Sequence, residues 1–138
     1  MNTSRLAFLA AACLALPVTA LLRAEPSPEL NQKVQKIFED RCAGCHFGKG
    51  NVNAQGRKGR NPILNAKTTR ADLLAVKADE PLIDEADPKK SSVYALVAKP
   101  ADDEDRMPKT KKHPGEPGYL EPLNADEIAL ILAWVSAK

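Results

Sequence analysis

The sequence predicts one all-α domain made of about four short helices and long loops. Four segments carry apolar residues at helical spacing behind residues that typically begin a helix. No segment alternates with the two-residue period of a half-buried strand. The chain also has 11 prolines in 138 residues, which favours long irregular connections between the helices.

The first 24 residues are predicted to be a signal peptide. A polar start with one positive charge, Arg5, precedes an apolar run over residues 6–16. Small residues then predict cleavage after Ala20 or after Ala24, which leaves a single domain over residues 25–138 and places it in the periplasm. One alternative is a retained membrane anchor, although a bilayer span needs about 20 apolar residues. Lipidation at Cys13 is another, but apolar residues follow it instead of a polar tether.

The charge of the chain is nearly balanced. It has 20 Lys and Arg residues against 18 Asp and Glu residues. A balance of this kind lacks the basic footprint of a nucleic-acid-binding protein or of a protein that binds an anionic membrane surface.

The first and last helices have the clearest predicted caps. Ser27 is a good N-cap and Pro28 suits the first helical position, so a helix is predicted to begin there and to run into Cys42. Asn124 and Glu127 form a capping box for the last helix. The predicted apolar faces comprise Leu30, Val34, Ile37 and Phe38 in the first helix, and Ile128, Ile131, Leu132 and Val135, with Trp134 beside them, in the last.

Two shorter helices are predicted between these. One begins at Thr69, where Asp72 completes an acidic variant of the capping box. The other covers residues 92–98, and Asp87 followed by Pro88 is an alternative start for it. Their predicted apolar residues are Leu73, Leu74 and Val76 in the former, and Val93, Leu96 and Val97 in the latter.

The chemistry is expected at Cys42-Ala43-Gly44-Cys45-His46, a C-x-x-C-H run that is the attachment signature of c-type haem. Two thiols at this spacing can each bond one vinyl group of the same porphyrin. The histidine that follows them then binds the iron as the proximal ligand. We therefore expect one covalently bound haem c, with Cys42 and Cys45 as its thioethers and His46 on the iron.

Other uses of a close cysteine pair fit the sequence less well. A thioredoxin-like pair needs a βαβ context, which the sequence lacks. A structural zinc site needs four ligands, and the only histidines, His46 and His113, are far apart in the chain. A disulfide across two residues closes almost no loop.

Met107 is predicted to be the distal iron ligand. It is the only methionine beyond Met1, it precedes a proline in an irregular loop, and thioether sulfur is a common ligand of c-type haem. The competing ligand is His113. A methionine that only packs on the core is the remaining interpretation.

Several further residues are weaker candidates. Pro62 can present a backbone carbonyl to the free ring nitrogen of His46, which orients the imidazole, but a proline that simply breaks a loop is an equally good interpretation. The candidates for lining the haem are the aromatic residues Phe47, Tyr94 and Trp134. The candidates for a basic docking edge are Lys49, Lys58, Lys109, Lys111 and Lys112.

On these motifs the chain resembles the cytochrome c domains of the planctomycete and verrucomicrobial type, from about Val34 to Val135. The resemblance is carried by the segments 37–42, 87–94, 106–108 and 123–135. It implies a small class I-like cytochrome c fold around a His/Met-ligated iron. The loop after Met107 is longer here than in the family, and it places His113 near the distal ligand.

Two classes of function follow. A six-coordinate iron has no open position, so the first expectation is a carrier that passes single electrons between redox protein partners and is not an enzyme. Such a carrier needs no small-molecule substrate and no nucleic acid, and it meets a membrane only if the signal is retained or the protein is lipidated. It would look the same in sequence as a small subunit of a larger oxidoreductase. The second expectation is a haem enzyme or small-ligand sensor, peroxidase-like or gas-binding, with a displaceable distal ligand.

Overall fold

The computed structural model describes residues 25–54, 56, 58–109, 114–117 and 119–138. The predicted signal peptide and its cleavage site lie outside these residues and stay predictions, and so does the position of His113. Within the described residues, no helix is both long enough and apolar enough to cross a membrane.

The described residues form an all-α fold, as the sequence predicts. Its α-helices are α1 (Pro28–Ile37), α2 (Arg70–Leu74), α3 (Ser92–Ala95) and α4 (Ala125–Val135). A π-helical turn, Phe38–Cys42, continues α1, and a 3₁₀ turn, Pro88–Lys90, precedes α3. The described part of the chain contains no strand, and its one isolated antiparallel bridge joins Val52 to Lys58.

The helix starts agree with the predicted caps. The Ser27 hydroxyl accepts a hydrogen bond from a backbone N–H at the start of α1. In α4 the Asn124 side chain accepts from the Glu127 N–H, and the Glu127 carboxylate accepts from the Asn124 N–H, both at 2.9 Å. Thr69 and Asp72 form the same reciprocal pair at 3.1 and 2.8 Å. These side chains satisfy backbone donors that the first helical turn leaves without partners.

The predicted lengths of the two short helices are wrong. Helix α2 ends at Leu74, so Val76 lies beyond it with 40% of its surface exposed instead of on a buried stripe. Helix α3 covers Ser92–Ala95, and its predicted alternative start is a separate 3₁₀ turn capped by Asp87. Because helix formation is costly to nucleate, helices as short as α2 and α3 are marginal by themselves and depend on tertiary packing for most of their stability.

The core lies between α1 and α4, which pack against each other, while α3 packs on α4. Trp134 was predicted beside the apolar face, but it is fully buried. Its ring meets Phe38 edge to face at 5.6 Å, and its Nε1 donates to Asn31 Oδ1 at 2.6 Å. The buried apolar residues are Val34, Ile37, Phe38, Leu64, Leu73, Leu82, Ile83, Val97, Leu123, Ile131, Trp134 and Val135. Residues at the end of α1 and in the segment around Met107 line the same cleft.

Candidate functional site

A single cleft collects most of the predicted site residues. Its empty volume is about 890 Å³, part of which is open to solvent. Most of its wall is apolar, and no Asp or Glu is among the described residues that form it. The wall is formed by Phe38, Arg41, Cys42, Cys45, His46, Arg60, Pro62, Leu64, Leu82, Ser92, Val93, Leu96, Val97, Met107, Pro108, Lys109, Leu120 and Ile131.

The C-x-x-C-H run reaches the cleft through a widened helix end. The Ala43 N–H donates to the Phe38 carbonyl five residues back, at 2.8 Å, which closes the π-helical turn. The N–H groups of Cys45 and His46 then both donate to the Cys42 carbonyl, at 3.1 and 2.9 Å. This tight turn aims both thiols and the imidazole into the same cleft, and π-helical turns are frequent at functional sites.

The two cysteines are half-buried and are not joined by a disulfide. Burial, together with the neighbouring Cys45 and Glu127, raises the pKa of the Cys42 thiol to about 12. Arg41 opposes this shift, but its effect is smaller. Before any haem is attached, Cys42 is therefore a neutral thiol at physiological pH.

The imidazole of His46 is held by a backbone carbonyl. Its Nδ1 lies 3.1 Å from the carbonyl oxygen of Pro62, the contact that the sequence offered as one of two interpretations of this proline. A carbonyl can only accept, so Nδ1 carries the proton and Nε2 keeps the lone pair that a metal ion needs. Burial lowers the pKa of His46, and Arg60 lowers it further, whereas the Pro62 carbonyl raises it. The ring is thereby kept as the neutral imidazole that binds metals.

Backbone hydrogen bonds join the loop between the C-x-x-C-H run and Pro62 to that run. The Arg60 N–H donates to the Cys45 carbonyl at 2.8 Å, and the Gly48 N–H donates to the Arg60 carbonyl at 3.1 Å. Gly59 allows this close approach, because a Cβ there would overlap the Gly48 carbonyl oxygen. The same hydrogen bonds bring Arg60 to the wall of the cleft.

Met107 is half-buried and also lines this cleft, although it lies far along the chain from His46. Its N–H donates to the Leu96 carbonyl at 2.9 Å, so the segment after α3 supports it. The preceding Arg106 donates from Nη2 to the Leu123 carbonyl at 3.4 Å. The structure thus brings Met107 to the cleft that Cys42, Cys45 and His46 line.

The aromatic residues behave differently from the sequence prediction. The aromatic side chain in the cleft wall is Phe38, whereas Phe47, Tyr94 and Trp134 are not part of it. Trp134 instead packs behind Phe38. Helical spacing identified Phe38 as core, and only the packing of α1 on α4 shows that the same ring faces both the core and the cleft.

Among the described residues, three cations line the cleft, and the sequence indicated only Lys109 of these. The others are Arg41, whose Nε lies 3.3 Å from Glu127, and Arg60. Lys109 lies 3.1 Å from Asp105. Of the other lysines proposed for a docking edge, Lys49 and Lys58 are exposed and outside the cleft wall, and Lys111 and Lys112 lie outside the described residues.

This set of residues fits a haem. The wall supplies apolar surface for a macrocycle, two thiols, a neutral imidazole and a thioether. Arg60, and also Arg41 and Lys109 with their ion-pair partners Glu127 and Asp105, add positive charge that suits a cofactor carrying two carboxylates. The cytochrome c family profile matches residues 32–137, from within α1 to just beyond α4.

The chain belongs to the cytochrome c family.

As a c-type cytochrome, it carries electrons and binds covalently attached haem c with its iron. The match spans the described helices, which agrees with the small class I cytochrome c fold. Searches of curated proteins and of solved structures found no match to the chain.

Proposed function

We propose that this cytochrome c is a periplasmic carrier with one haem, which passes single electrons between redox proteins. Cys42 and Cys45 form its thioethers, His46 is the proximal iron ligand and Met107 is the distal one. The observation that carries the proposal is that all four side chains line one cleft. The planctomycete and verrucomicrobial type, indicated by the segments quoted above, is part of the same proposal.

On the proximal side, the protein sets the orientation and basicity of one ligand. The bound haem iron supplies the one-electron chemistry. The Pro62 carbonyl keeps the Nδ1 proton of His46 in place, so the imidazole binds through Nε2 and cannot rotate freely. Leu64 adds a second restraint, because its N–H donates to the His46 carbonyl at 2.9 Å.

On the distal side, Met107 distinguishes a carrier from an enzyme. A thioether ligand fills the sixth position and raises the reduction potential relative to a second histidine. The backbone hydrogen bond to Leu96 keeps this residue beside the cleft. With Met107 on the iron, no position would remain for peroxide or a gas, so the carrier is proposed over the haem enzyme or the sensor.

Redox partners are proposed to be proteins with an acidic docking surface. Arg41, Arg60 and Lys109 line the cleft in which the haem edge would be exposed. Complementary charge steers association and is screened by salt. Electron exchange with an acidic partner protein should therefore slow as ionic strength rises. Export through the signal peptide, cleaved after Ala20 or Ala24, would bring the carrier to such partners in the periplasm.

The first experiment is optical spectroscopy of the protein expressed with haem-maturation machinery. A covalent c-type spectrum, a haem-to-protein ratio of one and an iron–sulfur charge-transfer band in the red are expected. Met107→Ala should abolish that band, and His113→Ala, the matched control for the competing ligand, should retain it. A low-spin spectrum of the unaltered protein without this band would overturn the distal assignment and point to His113. A high-spin spectrum of the unaltered protein would favour the enzyme or sensor. The mass of the secreted protein gives the cleavage site.

A further inference from the structure

We propose that Lys99 is a positioning residue that keeps Met107 on the iron by forming ion pairs with the acidic residues 102–105, which precede Met107. The proposal rests on the His/Met ligation proposed above. It concerns a different question, namely what prevents the distal loop, residues 96–107, from opening and letting another ligand replace Met107 on the iron.

Lys99 reaches across the loop to two of these acids. Its Nζ lies 3.1 Å from Asp103 Oδ1 and 3.5 Å from Asp105 Oδ2. The Lys99 and Asp103 side chains are each only about one-third exposed, at 31% and 32%. A cation held between two carboxylates in this way joins the start of the loop to its end.

The Asp103 carboxylate links this ion pair to the backbone turn that presents Met107. Besides Lys99, Asp103 Oδ1 accepts the Asp105 N–H at 2.7 Å. The Arg106 N–H donates to the Asp103 carbonyl at 3.0 Å, and the next residue is Met107 itself. A movement of the Asp103 side chain therefore reaches Met107 through two hydrogen bonds and one peptide unit.

The segment that follows α3 makes two kinds of contact with the loop, a backbone hydrogen bond and ion pairs. The Leu96 carbonyl accepts the Met107 N–H at 2.9 Å, and three residues later Lys99 binds Asp103 and Asp105. The backbone bond holds the end of the loop, and Lys99 holds its middle. Without Lys99, the loop would lose this link, and the hydrogen bonds of Met107 with Leu96 and of Arg106 with Leu123 would have to hold the thioether in place.

The charge pattern explains why the middle of the loop needs a cation. Residues 102–105 are four consecutive acids, and a compact turn brings their charges close together. Like charges repel, and the repulsion grows as their separation falls. Lys99 neutralises this run from one side, and Lys109 meets Asp105 from the other at 3.1 Å. Removal of Lys99 leaves the run with excess negative charge and favours an open loop.

Imidazole binding to the ferric protein measures this opening, because imidazole takes the iron only when Met107 leaves. Lys99→Ala should raise the imidazole association constant about fivefold. This is the range expected of two partly exposed ion pairs. The matched control is Lys33→Ala, which removes another i,i+4 ion pair, 2.7 Å from Glu29 on α1, and should leave imidazole binding unchanged.

Two further variants separate the charge of Lys99 from its packing. Lys99→Arg should restore the affinity of the unaltered protein. Asp103→Asn removes one of the two ion pairs but keeps an oxygen for the Asp105 N–H and lowers the negative charge of the run, so it should raise imidazole affinity less than Lys99→Ala does. High salt should raise the imidazole affinity of the unaltered protein towards that of Lys99→Ala, since salt screens exposed pairs.

The outcomes separate this inference from the proposed function. If the unaltered protein shows the iron–sulfur band and Lys99→Ala binds imidazole no better than Lys33→Ala, the inference is wrong and the His/Met proposal stands. If Asp103→Asn and added salt also leave imidazole affinity unchanged, the ion pairs have no part in holding Met107. Absence of the band in the unaltered protein would overturn both proposals together.

Discussion

The substitution Gly59→Ala tests how closely the loop after the haem motif must approach that motif. A Cβ at residue 59 would overlap the carbonyl oxygen of Gly48 and would lie 2.8 Å from two ring carbons of Phe47. Contacts this short cannot be kept, and the nearest atom belongs to the backbone. The loop itself therefore has to move.

The expected cost follows from the contacts that such a movement disturbs. Inserting a methyl group into a packed site costs about 1–3 kcal/mol. The Gly48 carbonyl also accepts the Asn51 N–H at 3.2 Å, and the Gly59 N–H donates to the Asn51 carbonyl at 2.8 Å. At least one of these two hydrogen bonds, worth about 1 kcal/mol, would be lost. We expect Gly59→Ala to destabilise the haem-loaded protein by about 2–4 kcal/mol.

Urea unfolding of the haem-loaded protein, followed by circular dichroism and by the haem absorption band, measures this cost. The matched control is Lys58→Ala, which truncates an exposed side chain next to Gly59 and outside the cleft wall. The control should change stability by less than about 0.5 kcal/mol. If Gly59→Ala falls within the same limit, the close approach of the loop does not constrain the fold and the reasoning is refuted.

Three further predictions concern the helices. Trp134→Phe should lower the free energy of unfolding by about 2 kcal/mol, because it removes the 2.6 Å hydrogen bond to Asn31 and part of a fully buried side chain. Urea unfolding measures this loss. If the losses of stability in Trp134→Phe and Asn31→Ala simply add in the double variant, the two residues are not coupled and the prediction is contradicted. Asn124→Ala should cost about 1 kcal/mol in the same assay through loss of the α4 cap, and an unchanged midpoint would argue against that cap. Hydrogen bonds from Thr69 lower the pKa of Asp72 below its usual value. The stabilisation that they give is therefore present above the ordinary pKa of a carboxyl group and is lost as pH falls through the lowered pKa. Thr69→Ala should make the melting temperature depend less on pH in this acid range, and an unchanged pH dependence would contradict the prediction.

The sequence predicted the local parts of the structure well. The caps at Ser27, Thr69 and Asn124 depend on hydrogen bonds between residues three apart, so a short stretch of sequence contains all the information needed. The C-x-x-C-H run is local in the same way, since its five residues bring two thiols and an imidazole together within one turn. The exposure of Val76 could not be predicted from neighbouring residues, because the length of α2 depends on what packs against this helix.

The sequence by itself determined the fold class, the helix starts and the haem-attachment run, because each depends on neighbours in the chain. Only the tertiary structure decided which distant residues share the cleft. It brings Met107 and Arg60 to the same wall as His46, puts the Pro62 carbonyl 3.1 Å from the imidazole and makes Phe38, not Trp134, the aromatic in the wall. These contacts join segments that are 14 or more residues apart in the chain or lie on different helices. Packing between such segments fixes their separation, and no pattern of neighbouring residues encodes it.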